Sequence, residues 1–347
     1  MNRPIRKMSL TGLLLLLLLA FVLDLCAGPV RIPIHEIFRI LVSSSSKNND
    51  WYFIVKNIRL PKAITAVLAG CGLSVAGLQM QTLFRNPLAD PGILGITAGA
   101  SFGVAAVMLS GGGMATLYAI RELGLSGSWL IVGAACTGAG VVMLFVLTLS
   151  GRLKDNVLML IIGIMLSSIT LALVSIWQYF SNPEEVKDYL LWTFGSLSGV
   201  TGPQLPIFSL TIIAGLIAAF LSSKMLDALL LGENYARSMG LTVKYARIVI
   251  ICSTSLLAGS ITAFCGPIGF IGIAVPHLAR LFFNTSSHRV LMPACCLLGT
   301  VLLLLCDSIA QWPGSDNVLP VNIITSLVGA PMVIFMLVRK KNLNIYR

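Results

Sequence analysis

Side chains able to do chemistry are sparse in this sequence, and none is grouped as a reacting centre requires. The 347 residues include three histidines and 13 acids. Asp24 and Asp307 fall near the ends of apolar runs, and His277 lies in Val275-Pro276-His277-Leu278-Ala279-Arg280. There is no HExxH zinc helix and no GxSxG nucleophile turn, and no paired-carboxylate arrangement lies on an expected membrane span. No catalytic residue, metal ligand set or cofactor is therefore expected, and His277 is expected to be paired within the fold. Ion-coupled carriers place acids, His or Arg inside their bundles. The near-empty interior argues against the alternative of an ion-coupled secondary transporter. No GxxxxGK[ST] phosphate loop occurs, so an ATP-driven protein of this sequence needs a separate ATPase subunit. The eight cysteines form no CxxC pair and read as small buried hydrophobes.

The most informative polar stretch is 224–243. Gly232 and Gly240 can each end a helix in a left-handed conformation, which predicts short helices over 223–231 and 233–239. Glu233 then opens the second helix, where its charge suits the dipole, with Arg237 four residues on at pairing distance. Met225, Leu226, Leu229 and Leu230 give the first helix an apolar face. A compact knob of this kind is something a partner protein can grip.

The elements that position these residues are membrane spans. Hydrophobic residues make up 56% of the chain and charged residues 11%, against roughly 25% charged in a soluble domain. Lipid must therefore cover much of the surface. At about 20 apolar residues per span, ten are expected: 9–27, 61–83, 92–112, 128–149, 157–180, 205–223, 244–264, 267–282, 291–311 and 320–338. The run Leu13–Leu19 behind Arg3, Arg6 and Lys7 is read as a retained first span, since no clear small-x-small cleavage site follows. The net charge of +11 does not indicate nucleic acid, because the basic residues sit in short breaks between apolar runs. Most fall in breaks assigned to the inside, among them Arg85, Arg152, Lys154, Arg247 and Arg280, which puts both termini in the cytoplasm. The outer segment 28–60 breaks the pattern with Arg31, Arg39, Lys47, Lys56 and Arg59, either because loops of this length translocate largely regardless of charge or because it is a docking surface for an acidic partner. Residues 1–347 are read as one all-α transmembrane domain, with outer segment 28–60 and inner helices 224–240.

Small residues recur at helical spacing: Gly95, Gly99 and Gly103 in the third span, and Ala66, Gly70, Ser74 and Gly77 in the second. Such faces let helix backbones approach closely. Two Pro/Gly breaks, at 86–95 and 266–272, each open a Gly-rich helix from opposite sides of the membrane. Interrupted segments at matching places point to a transport pathway built from inverted repeats, here spans 2–5 and 7–10.

Six stretches in order resemble one family. They are Arg59-Leu60-Pro61-Lys62; Leu83-Phe84-Arg85-Asn86-Pro87-Leu88-Ala89-Asp90-Pro91-Gly92; Leu231-Gly232-Glu233 with Ala236, Arg237 and Gly240; Gly266-Pro267-Ile268-Gly269-Phe270; Pro276-His277-Leu278-Ala279-Arg280; and Leu319-Pro320-Val321 with Gly329-Ala330-Pro331. The chain resembles the FecCD-type permeases, membrane subunits of ABC importers for iron–siderophore complexes, haem and vitamin B12. The resemblance implies an inner-membrane permease of ten helices, homodimeric or paired with a paralogue. It also implies ATPase subunits on the cytoplasmic face and a periplasmic or lipid-anchored binding protein outside. By the same resemblance Gly232, Glu233, Ala236, Arg237 and Gly240 couple to the ATPase. Arg59 and Lys62 dock the binding protein, and Asn86, Pro87 and Leu88 form a cytoplasmic gate. The cargo it implies is an iron chelate, with cobalamin as the alternative. Two positions depart from the family pattern: Gln311, where Arg is frequent, and Asn322, where Gly is usual.

Overall fold

The computed structural model describes residues 10–43, 49–109, 127–150, 156–200, 202–311 and 318–339. Arg3, Arg6, Lys7, Lys47, Arg152 and Lys154, used in the charge argument, lie outside the described residues. Among the described residues every regular element is helical. In chain order these are α1 (Leu10–Cys26), α2 (Ile34–Ser43) and α3 (Asn49–Phe53), which runs through a π-helical turn (Ile54–Arg59) into α4 (Leu60–Leu83). A 3₁₀ turn (Pro91–Leu94) then leads to α5 (Ile96–Met108), α6 (Gly127–Ser150), α7 (Asn156–Phe180) and α8 (Pro183–Thr193). The remainder comprises α9 (Leu205–Leu221), α10 (Ser223–Leu230), α11 (Glu233–Ser238), α12 (Val243–Cys265), α13 (Ile271–Phe283), α14 (His288–Ala310) and α15 (Val321–Arg339).

Each expected span coincides with a helix. Among the described residues, 50–83, 129–149, 158–180, 243–265 and 288–310 are long and apolar enough to cross a membrane, and α9 with α10 forms a bent pair at 48°. The third and eighth spans are shorter than expected, 13 helical residues each in α5 and α13. At 1.5 Å per residue that is about 20 Å, short of a hydrocarbon core of about 30 Å. The Pro/Gly breaks supply the missing length as irregular backbone, which a membrane tolerates where protein surrounds it.

Helix α4 is the hub, packing on α9, α12, α13 and α14. Its most apolar window is 78% buried, against 22% for the window in α7. The small residues read from the sequence make this possible. A β-carbon on Gly70 would lie 2.5 Å from the Gly299 carbonyl oxygen, and one on Gly77 1.9 Å from that of Gly272. Gly99 and Gly103 likewise face the backbone of Gly138 and Ala134 on α6. Helices this close gain van der Waals contact where lipid offers no hydrophobic drive.

The two breaks meet inside the bundle. Asp90 Oδ1 accepts from the Gly92 amide at 2.8 Å and sets the 3₁₀ turn. On the other side Cys265 O accepts from the Ser196 amide at 2.7 Å, so the second break starts against the outer segment 181–204. The chain then passes Phe270, held at φ +67, to Gly272, where a β-carbon would lie 2.7 Å from Asp90 Oδ2.

Candidate functional site

Three polar regions sit along this frame: a helical knob at one end (termed inner), the 86–88 stretch beside it, and a cavity at the opposite, outer end. The knob is α10 and α11. Gly232 (φ +119) turns the chain between them and Gly240 (φ +85) leads out of α11, as the glycine positions predict. Ala236 is buried and docks α11 on the bundle, while Tyr235, at 51% exposure, and Met239, at 63%, face outward. Glu233 makes the expected i,i+4 contact, 3.7 Å from Arg237. Its closer partner is Arg247 on α12, a pairing the local spacing does not reveal. Arg247 is 5% exposed at its side chain and Arg237 56%, so the first anchors the carboxylate and the second lies on the surface.

The 86–88 stretch leaves α4 through Arg85, at φ +50. Asn86 Oδ1 accepts from the Leu88 amide at 3.0 Å, a local turn. His277 Nε2 donates to Pro87 O at 2.9 Å. The expected paired histidine therefore has a specific partner, the loop itself. Gln81 bonds Ile273 O at 3.1 Å and accepts from Arg280 at 2.6 Å, which pins the end of α4 to α13.

Sequence reasoning missed a second polar chain here. Asp227 on α10 accepts from both the ring Nδ1 (2.6 Å) and the backbone amide (2.9 Å) of His288. The ring Nε2 is 2.8 Å from Thr82 Oγ1 on α4. Burial tends to raise the Asp227 carboxyl, but the hydrogen bonds from His288 outweigh it and hold the group below its usual value. Positions 82, 227 and 288 share no spacing, so only the fold joins them.

At the outer end a cavity of about 550 Å³ is lined by Arg59, Lys62, Asp307 and Gln311 among others. Arg59 and Lys62 are each 6% exposed, and both heads have internal partners. The Arg59 guanidinium donates to the carbonyls of Leu25 (2.8 Å), Cys26 (3.3 Å) and Val30. Lys62 Nζ is 3.0 Å from Asp307 Oδ1. Gln311 donates to Asp307 Oδ2 at 2.6 Å, and Ser308 to Asp24 Oδ1 at 3.3 Å. The departures from the family pattern thus have local explanations. Gln311 completes the shell of Asp307, and Asn322 Oδ1 accepts from the Gly269 amide at 3.0 Å. Among the described residues no cluster of three metal-ligating side chains occurs.

Comparison with known proteins fits this geometry. The hemin transport system permease protein HmuU of Yersinia pestis is 33% identical over 343 residues, 98% of each chain. The vitamin B12 import system permease protein BtuC of Klebsiella pneumoniae is 36% identical, over 96% of this chain and 94% of its own. A solved structure described as a metal-chelate type ABC transporter in an inward-facing conformation superposes with a TM-score of 0.81 at 27% identity. It covers 96% of this chain and 98% of its own. Residues 16–339 match the FecCD transport family, and with these relatives along its whole length the chain belongs to that family and is a membrane permease of an ABC importer.

Proposed function

We propose that this permease carries a metal chelate across the inner membrane, driven by a separate pair of ATPase subunits that grip the α10–α11 knob. The observation that carries the reading is the knob itself. Two short helices sit in a chain without a phosphate loop, with Glu233 fixed by buried Arg247 and an exposed face at Tyr235, Arg237 and Met239. Gly232, Glu233, Ala236, Arg237 and Gly240 form the coupling element. Asn86, Pro87 and Leu88 form the inner gate, with both termini on the same face. ATP binding draws the ATPases together, the knob moves, and the inner and outer ends of the pathway exchange access.

A second copy, or a paralogue, completes the pore. The windows in α6 and α7, only 28% and 22% buried, leave apolar surface for lipid and such a partner. Helices α4–α7 and α12–α15, each set with its own Pro/Gly break, form the inverted halves. A binding protein docks on the outer end. There Arg59 and Lys62 serve by exchanging internal acceptors for acidic groups of that protein, which governs orientation and on-rate more than affinity.

An iron chelate, siderophore or haem, is the favoured cargo, supported by the similarity to the hemin permease. Cobalamin is the second reading, supported by the 36% identity to a vitamin B12 permease. The test is reconstitution with the ATPase and binding protein, supplying iron–siderophore, haem or cobalamin. Uptake is expected for an iron chelate. Glu233→Ala and Arg237→Ala are expected to lower both transport and stimulated ATPase activity. Unchanged rates in both variants would remove the coupling assignment.

A further inference from the structure

The polar contacts of α10 have an order that coupling by itself does not require. Helix α10 packs on α4 and α14, and Gln79 and Thr82 of α4, with Arg85 just beyond its end, reach its start, middle and end. Gln79 Nε2 donates to Ser222 Oγ, at the start of α10, at 3.3 Å. Thr82 reaches Asp227 in the middle through His288. Arg85 donates to the carbonyl of Leu230, its last residue, at 3.1 Å.

We propose that these three links clamp α10 along its length to the inner end of α4, with Thr82–His288–Asp227 as the central bolt that delivers knob motion to the 86–88 stretch. The proposal rests on the coupling role given to the knob above. The central link has the greatest mechanical weight. His288 and Thr82 are each 1% exposed, so water cannot replace the bond between them cheaply, whereas the Asp227 side chain is 36% exposed. Asp227 takes two bonds from one residue, the ring and the amide of His288, which fixes both the side chain and the start of α14. The Arg85 link is exposed and weaker. Gln79 also bonds Ser253 and Thr254, so its hold on α10 is shared with α12. A rigid element biased from one end is the physical basis for passing a conformational signal, and 86–88 begins one residue after Arg85. Thr82, His288 and Asp227 are thus positioning residues, acting through the gate rather than on cargo.

The test uses the full importer with its ATPase and binding protein, reading cargo transported per ATP hydrolysed. His288→Asn keeps a donor near the Nδ1 position and loses the Thr82 arm. His288→Gln keeps the Thr82 arm and loses the ring bond to Asp227, leaving only the bond from the backbone amide. Thr82→Val removes the hydroxyl with little change of shape, and Thr82→Ser restores it. Transport per ATP is expected to fall about tenfold, the scale of an ordinary allosteric coupling free energy, in both His288 variants and in Thr82→Val. Recovery is expected in Thr82→Ser, with the ATPase co-purifying throughout. A ratio within about twofold of wild type in Thr82→Val and both His288 variants would overturn the clamp. So would loss of ATPase co-purification in step with transport, which would make the chain a docking element. If the wild-type permease binds no ATPase, the coupling reading itself fails, an outcome distinct from an unchanged ratio in a working importer.

Discussion

Replacing Lys62 by Met tests how the outer end is held together. Lys62 and Asp307 lie 3.0 Å apart with side chains 7% and 2% exposed. Removing the ammonium strands the Asp307 carboxylate with Gln311 and the neighbouring buried Asp24 as hydrogen-bond partners. Breaking a buried pair at one partner costs about 3–5 kcal/mol, because the other charge stays buried. Because the outer cavity borders Asp307, the expected loss is at the lower end, about 3 kcal/mol. The double variant Lys62→Met/Asp307→Leu removes both charges. It is expected within about 1 kcal/mol of wild type, since apolar replacement of a buried pair is commonly neutral or better. The assay is reversible unfolding in mixed micelles, comparing each single variant with the double. A loss below about 1 kcal/mol in Lys62→Met would be that of an exposed pair, and would refute the buried-pair reading.

Other outcomes follow from the same contacts. Gly77→Ala places a methyl 1.9 Å from the Gly272 oxygen and is expected to cost at least 1–3 kcal/mol by overpacking, roughly, whereas Gly133→Ala, with nothing within 4 Å, is expected to be neutral by thermal unfolding. Arg247→Met is expected to destabilise the permease by about 1–3 kcal/mol, since Glu233 is 24% exposed and keeps Arg237, and Arg237→Ala by less than about 1 kcal/mol, as the same unfolding experiment reads. Asn322→Gly, the residue usual in the family, is expected to lose about 1 kcal/mol with its bond to Gly269, without loss of transport.

Most of the frame was legible because it depends on local chemistry. A run of apolar residues has one stable place, the bilayer, and within it one stable backbone, the helix, since every amide must be paired. The five long apolar helices and the bent pair among the described residues therefore follow from hydropathy, and the ends of α10 and α11 from Gly232 and Gly240. The third and eighth spans were less legible. Hydropathy cannot distinguish helix from protein-shielded irregular backbone, and Gly95 and Phe270 shorten both by starting their helices late. Orientation by charge reads only the breaks, so it sees Lys62 as an outward cation although Asp307, 245 positions away in the chain, has taken it.

Composition and motifs therefore reach the class of molecule: an all-helical membrane permease with two short helices between Ser223 and Ser238. Its motifs also pointed to the family that the comparisons established. Only the tertiary structure decided which polar groups share a partner. Glu233 goes to Arg247 rather than chiefly to Arg237, Lys62 to Asp307, and Thr82 through His288 to Asp227. The physical reason is that hydropathy and helix spacing act within a few residues. A buried charge or hydroxyl is satisfied by whatever the packing of small-residue helix faces brings within 3 Å, and that distance is a property of the assembled bundle.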